Sequence, residues 1–175
     1  MPKIIENVRE RAVTEARRIL EEEGYGAMTI RGVAKALGIA PGTIYHYFPS
    51  KETLAACAML EDWNQRAESL EENCIGRTAE ETVRILFSMV RSFTEAHVRS
   101  WTEYEPEGDR IAIRRRYHAV LVEQLSRPIL RAMPPEQAEA KPWLASFLAE
   151  LTLRFGSDGT SAYEVIEPAV SALLR

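Results

Sequence analysis

An all-α fold is predicted for this chain, with three short helices followed by a bundle of five longer ones. Three observations predict it. Apolar residues recur at three- and four-residue steps along most of the length, the period of one helix face. Gly and Pro fall between those runs, where helices end or begin. No stretch alternates apolar and polar residues for long enough to make a strand, and no internal repeat or low-complexity tract breaks the pattern. At 175 residues, 46% hydrophobic and 27% charged, the chain can bury a core without disulfides or metals and is too apolar for disorder.

The first helix is marked by Ile5, Val8, Ala12, Ala16, Ile19 and Leu20 on one face, and Gly24 and Gly26 stop it. Thr29 caps a second helix with Ile30, Val33, Ala34 and Leu37 turned inward. Gly38 ends that helix. Pro41 stands where a first helical residue belongs, because its missing N–H is not needed there. The third helix is short, since Pro49 disfavours helix at Phe48. Ser50 caps a fourth, which runs to about Cys74. After Gly76, the stripe Val83, Leu86, Phe87, Val90, Phe93, Val98 and Trp101 makes a long amphipathic helix. Tyr104 to Asp109 is a loop, and a helix from about Arg110 to Met133 follows, ended by Pro134 and Pro135. Trp143, Leu144, Phe147, Leu148, Leu151 and Phe155 form the next stripe, stopped by Gly156. Ile166, Ala169, Val170, Leu173 and Leu174 form the last. The expected domains are a helix-turn-helix headpiece over residues 1–49 and a five-helix bundle over 50–175.

Composition excludes several classes. No apolar run reaches the length of a membrane span. Met1 to Arg18 has no continuous apolar core of a secretory signal, so a cytoplasmic location is expected. The two cysteines, Cys57 and Cys74, form no disulfide framework, and on one helix they would lie ~25 Å apart. They are not spaced as zinc ligands, and His97 and His118 form no metal-binding pattern, so no metal and no cofactor is expected. Gly24-Tyr25-Gly26 follows a helix and lacks the third glycine of a dinucleotide loop. No phosphate loop, nucleophile elbow or framed carboxylate pair appears, which argues against an enzyme. The net charge of −4 is unevenly spread. Residues 1–53 carry eight Lys/Arg against seven Asp/Glu, and residues 54–175 carry fourteen against nineteen. The excess acid lies in the second part, and a local positive patch on the first is compatible with it.

Three short helices, the last two joined by a tight turn at Gly38, are the helix-turn-helix pattern. At ~100° per residue, Ile44 and Phe48 share one face of the third helix, and Gly42, Thr43, Tyr45, His46 and Tyr47 spread over the rest. Aromatic residues at helical spacing are more often core than contact. Tyr45, His46 and Tyr47 are consecutive, however, and cannot all face one core. Their hydroxyls and imidazole suit base edges and phosphates, and Gly42 lets the backbone approach closely. Lys51, at the start of the next helix, is within reach of a phosphate.

The stretch from Thr29 to Leu54, with Gly42-Thr43-Ile44-Tyr45-His46-Tyr47-Phe48 followed by Ser50-Lys51-Glu52, resembles the DNA-binding domain of the TetR family of bacterial transcriptional regulators. The resemblance covers roughly residues 8–55. It implies that Thr29 caps the second helix and touches a phosphate, and that Arg31 lies beside the DNA. It places Thr43 and Tyr45 toward the groove, His46 on a base or phosphate, and Tyr47 and Lys51 as backbone clamps. Three positions depart from the family's pattern. Ala40 replaces a hydroxyl residue, Pro41 a polar or basic one, and Gly32 a charged one, the last at roughly 0.5–1 kcal/mol for a helix interior.

The resemblance also implies that the second domain dimerises and holds an effector. The helices at 142–155 and 163–174 resemble the family's dimerisation pair, giving Trp143, Phe147, Leu151, Ile166, Val170 and Leu173 as interface candidates. Packing within one monomer is the other reading of these six. Trp63, Phe87, Met89, Phe93, His97, Trp101, Tyr104, Tyr117 and His118 come from helices that would surround an effector. Each taken singly reads equally as core, Met89 above all. Arg114, Arg115 and Arg116 read as a solvated helix face. The expectation is thus a homodimeric repressor of a palindromic double-stranded DNA operator, released when an unidentified small molecule shifts the population toward badly spaced headpieces. A family member controlled by a partner protein, and a helical-bundle enzyme with a vestigial headpiece, are the alternatives.

Overall fold

The computed structural model describes residues 7–97, 109–158 and 161–175; for Glu71 and residues 109–117 it describes the backbone alone. Among these residues every regular element is a helix, as the periodicity predicts: α1 (Val8–Glu22), α2 (Ile30–Leu37), α3 (Pro41–Tyr47), α4 (Lys51–Asn73), α5 (Ala79–His97), α6 (Asp109–Ala132), α7 (Pro135–Ala140), α8 (Leu144–Gly156) and α9 (Glu167–Leu173), with a 3-10 turn at Tyr163–Val165. No helix among the described residues is long and apolar enough to cross a membrane. The expected start of α1 at Ile5 and the loop before Asp109 lie outside the described residues.

The chain divides into two compact units. The first holds the described residues up to Asn64 together with His97, and the second holds the rest. In the first, Ala12, Ala16, Ile19 and Leu20 of α1, Ile30, Val33 and Ala34 of α2, and Ile44 of α3 form one buried cluster, to which Tyr25, Met28, Phe48, Leu54 and Ala58 add. Caps define the boundaries. The Gly32 amide donates to Thr29 Oγ1 at 2.9 Å, satisfying one of the open amides of α2. At the other end Gly38 takes the left-handed conformation at φ 68°, and its amide bonds back to Ala34 and Lys35 carbonyls. The Thr53 amide donates to Ser50 Oγ at 3.2 Å, the predicted cap of α4. Deeper in this unit His97 Nε2 and Asp62 Oδ2 are 2.6 Å apart, both buried.

In the second unit α5 begins with a reciprocal cap. Glu81 N–H donates to Thr78 Oγ1 at 3.2 Å, and Thr78 N–H donates to Glu81 Oε2 at 2.9 Å. The Thr78 amide and the Thr78 hydroxyl, both donating to Glu81 Oε2, hold the Glu81 carboxyl below its ordinary range. The buried stripe of α5 is Val83, Leu86, Phe87 and Val90. Helix α6 passes through Pro128 and packs along α8. The segment after α8 is pinned to α5 by an ion pair of Arg84 with Glu167, by the Arg84 guanidinium 4.5 Å from the Tyr163 ring centroid, and by Ser171 Oγ donating to Glu80 Oε1 at 2.6 Å. Gln137 Nε2 and Lys141 Nζ donate to the carbonyls of Leu174 and Leu173. Two expectations are corrected. A short helix, α7, starts at Pro135, which the sequence marks only as a stop, and Gly156 is the last residue of α8 rather than a turn beyond it.

Candidate nucleic-acid interface

Helix α3 is seven residues long, and its two sides differ sharply. Ile44 is fully buried and Phe48, the cap residue, is 1% exposed, docked in the core formed by α1 and α2. Tyr45 is 50% and Tyr47 44% exposed, and Gly42, Thr43 and His46 are exposed with them. The helix is set by Pro41 at its first turn and by extended backbone at Ala40, which makes no side-chain cap. An apolar pair spaced by four residues turns every other side chain of α3 outward. His46 and Tyr47 meet edge to face, with centroids 5.3 Å apart. Five hydrogen-bonding or bare positions thus line one short, open rod of the width a major groove admits.

The flanking residues supply the charge. Thr29 and Arg31, at the start of α2, are exposed, as is Lys35 one turn along from Arg31. The four-residue spacing of Lys35 from Arg31 puts both on one helix face. Lys51, half-buried, begins α4, and its Nζ lies 4.1 Å from the Tyr25 ring centroid. Tyr25 is itself buried, and its hydroxyl donates to Glu52 Oε1 at 3.3 Å. Burial pushes the Lys51 ammonium below its ordinary pKa, with Glu52 opposing. Burial also raises the Glu52 carboxyl, but its own amide, the Ser50 and Tyr25 hydroxyls and the Lys51 charge outweigh that and hold it low. Neither Tyr25 nor Glu52 stands out as a site residue in the sequence, where Tyr25 lies only between two helix-stopping glycines.

The other candidate residues separate. Trp63 and His97 belong to the first unit, and Phe87, Met89, Phe93 and His118 to the second. Trp101, Tyr104 and the Tyr117 side chain lie outside the described residues. Phe87 is buried against the Tyr163 ring at 5.5 Å, and Met89 is buried too. Phe93 lies under the Arg66 guanidinium at 6.0 Å. His118 is half-buried and paired at 3.0 Å with Glu150 of α8. A shallow groove of about 320 Å³ runs between α5 and residues 162–164, and Phe87 alone of these candidates lines it. Among the interface candidates, Trp143 and Phe147 are 53% and 47% exposed and meet edge to face, with Leu151 and Leu173 half-buried. Ile166 and Val170 are a correction: both are buried within the chain's own core, so they have no surface left for a partner. No group of His, Cys, Asp or Glu among the described residues could hold a metal ion.

Residues 13–57 match the family of bacterial regulatory proteins described as the tetR family. The chain is 39% identical over 54 residues to the HTH-type transcriptional regulator UidR of Escherichia coli K12, a match that spans 31% of this chain and 28% of that protein. It therefore spans well under a third of that relative's length. To the HTH-type transcriptional repressor KstR of Rhodococcus jostii RHA1 it is 26% identical over 95% of this chain and 82% of that one. Two solved structures share the fold. Salmonella enterica GusR has a TM-score of 0.58 at 23% identity, covering 98% of each chain. The transcriptional regulator FadR of Bacillus subtilis, determined in complex with stearoyl-CoA, has a TM-score of 0.57 at 20% identity, covering 94% of this chain and 97% of that one.

Proposed function

We propose that this chain, whose residues 13–57 match the tetR family of bacterial regulatory proteins, is a transcriptional repressor, not an enzyme, that binds a palindromic DNA operator as a homodimer in the bacterial cytoplasm. A small molecule held by the second unit releases it. The observation that carries the reading is the division of α3, with Ile44 and Phe48 inside and Thr43, Tyr45, His46 and Tyr47 outside. A helix of this length sunk on one side and open on the other has the form of a groove reader. Thr43 and Tyr45 are the base-reading residues, His46 touches a base or phosphate, and Thr29, Arg31, Tyr47 and Lys51 hold the backbone. Two headpieces set roughly 34–36 Å apart, or a multiple of that, then reach successive half-sites.

Selection from a random DNA pool tests this. The expected result is enrichment of an inverted repeat, and failure to enrich any sequence would overturn the reading. Thr43→Ala and Tyr45→Ala should each lose ~1–3 kcal/mol of discrimination between the selected site and mixed-sequence DNA. The FadR neighbour was determined with stearoyl-CoA, so long-chain acyl-CoA is a reasonable first effector to add. Coupling of ~1–3 kcal/mol would lower operator affinity about 5- to 150-fold.

A further inference from the structure

The first unit places a cation where helix electrostatics disfavours one. Lys51 is the first residue of α4, and the open amides there carry partial positive charge that repels an ammonium group. A residue serving the fold alone would be acidic or neutral at that position. Local rules are broken mainly where function requires it. Two neighbours offset the repulsion. The Tyr25 ring presents its electron-rich face to Lys51 Nζ at 4.1 Å, and Glu52 adds a carboxylate that Tyr25 holds by its hydroxyl at 3.3 Å.

We propose that Tyr25 is a positioning residue for DNA binding, its ring holding the Lys51 ammonium in place to meet a phosphate and its hydroxyl fixing the Glu52 carboxylate beside it. The inference rests on the DNA-binding reading above. A lysine side chain has several rotatable bonds, and ordering it on association opposes binding. An ammonium already seated on a buried ring has given up much of that freedom beforehand. Tyr25 is 3% exposed and part of the core, so the platform itself does not move. The lowered pKa of Lys51 through burial agrees with a seated rather than a fully solvated ammonium.

The test is a double-variant cycle on the full chain, titrated with a mixed-sequence duplex between about 50 and 200 mM salt. Lys51→Ala should make the salt dependence shallower by ~0.9 for each phosphate that is no longer neutralised. Tyr25→Leu, which keeps an apolar core residue but removes the ring, should weaken binding about two- to fivefold and shallow the slope in the same sense. The two changes together should bind no more weakly than Lys51→Ala alone, because both act on the same ammonium–phosphate pair. Tyr25→Phe should keep the slope. If the two effects multiply and Tyr25→Leu retains the wild-type slope, Tyr25 acts only through packing and the inference is overturned. If Lys51→Ala leaves the slope unchanged, the phosphate role of Lys51 fails first. Nuclear magnetic resonance of the unaltered protein gives an independent check: the Lys51 ε-methylene signals should lie upfield under the ring current, and ordinary positions would overturn the seating.

Discussion

Gly32 shows how one atom can reverse a rule of helix propensity. Alanine inside a helix ordinarily stabilises over glycine by roughly 0.5–1 kcal/mol. In α2, however, a Cβ at position 32 would lie 2.9 Å from Thr29 Oγ1, the same hydroxyl that accepts the Gly32 amide. Displacing that cap costs about 1 kcal/mol, so the two effects offset. Gly32→Ala is expected to give no gain and up to ~1 kcal/mol of destabilisation, read as a shift of the urea midpoint at unchanged slope. A gain of ~1 kcal/mol would show that the hydroxyl moves aside and the cap survives. At this scale the sequence is partly legible. Thr29 as a cap follows from its residue type and place. The crowding at Gly32, and the seat that Tyr25 gives Lys51, need the three-dimensional path of the chain.

Among elements, the glycines divide into two kinds that look alike in sequence. Gly38 ends α2 through a positive φ, as its position predicts. Gly156 has helical backbone and closes α8 for another reason. An added Cβ would stand 2.8 Å from Val90 Cγ1 and 3.0 Å from Val90 Cβ, so the absent side chain lets α8 lie close against α5. Gly156→Ala should force the two helices apart at ~1–3 kcal/mol, seen as a lowered melting temperature. A compensating Val90→Ala in the same chain should recover part of it. Pro135 carries a similar ambiguity. It stops α6 by lacking an amide, and that same lack suits it to the first turn of α7. The Thr78–Glu81 cap is a signal legible in the sequence, since Thr and Glu stand three apart before an apolar stripe.

At the scale of the whole molecule, Trp143 and Phe147 are the exposed aromatics among the described residues of the second unit. A lone exposed apolar residue is ordinary, but two in edge contact, with Leu151 half-buried on the same helix, form a patch. The proposed homodimer would cover it. Phe147→Asp, alone or with Trp143→Asp, should shift sedimentation from dimer toward monomer and weaken operator binding, because one headpiece reaches only one half-site. Changing Ile166 or Val170 is a different experiment. Both are buried within the chain, so their truncation should lower the melting temperature first.

Apart from α7, the order of the described helices, most of their ends, the inward pair Ile44 and Phe48 and the outward residues Thr43, Tyr45, His46 and Tyr47 followed from the sequence by itself. These depend on period, residue type and near neighbours, which are local properties of the chain. Only the tertiary structure decided that Ile166 and Val170 are core, that Gly156 is a packing site, and that Tyr25 lies beneath Lys51. Each of these joins residues distant along the chain, and an apolar face carries no mark of which surface will cover it.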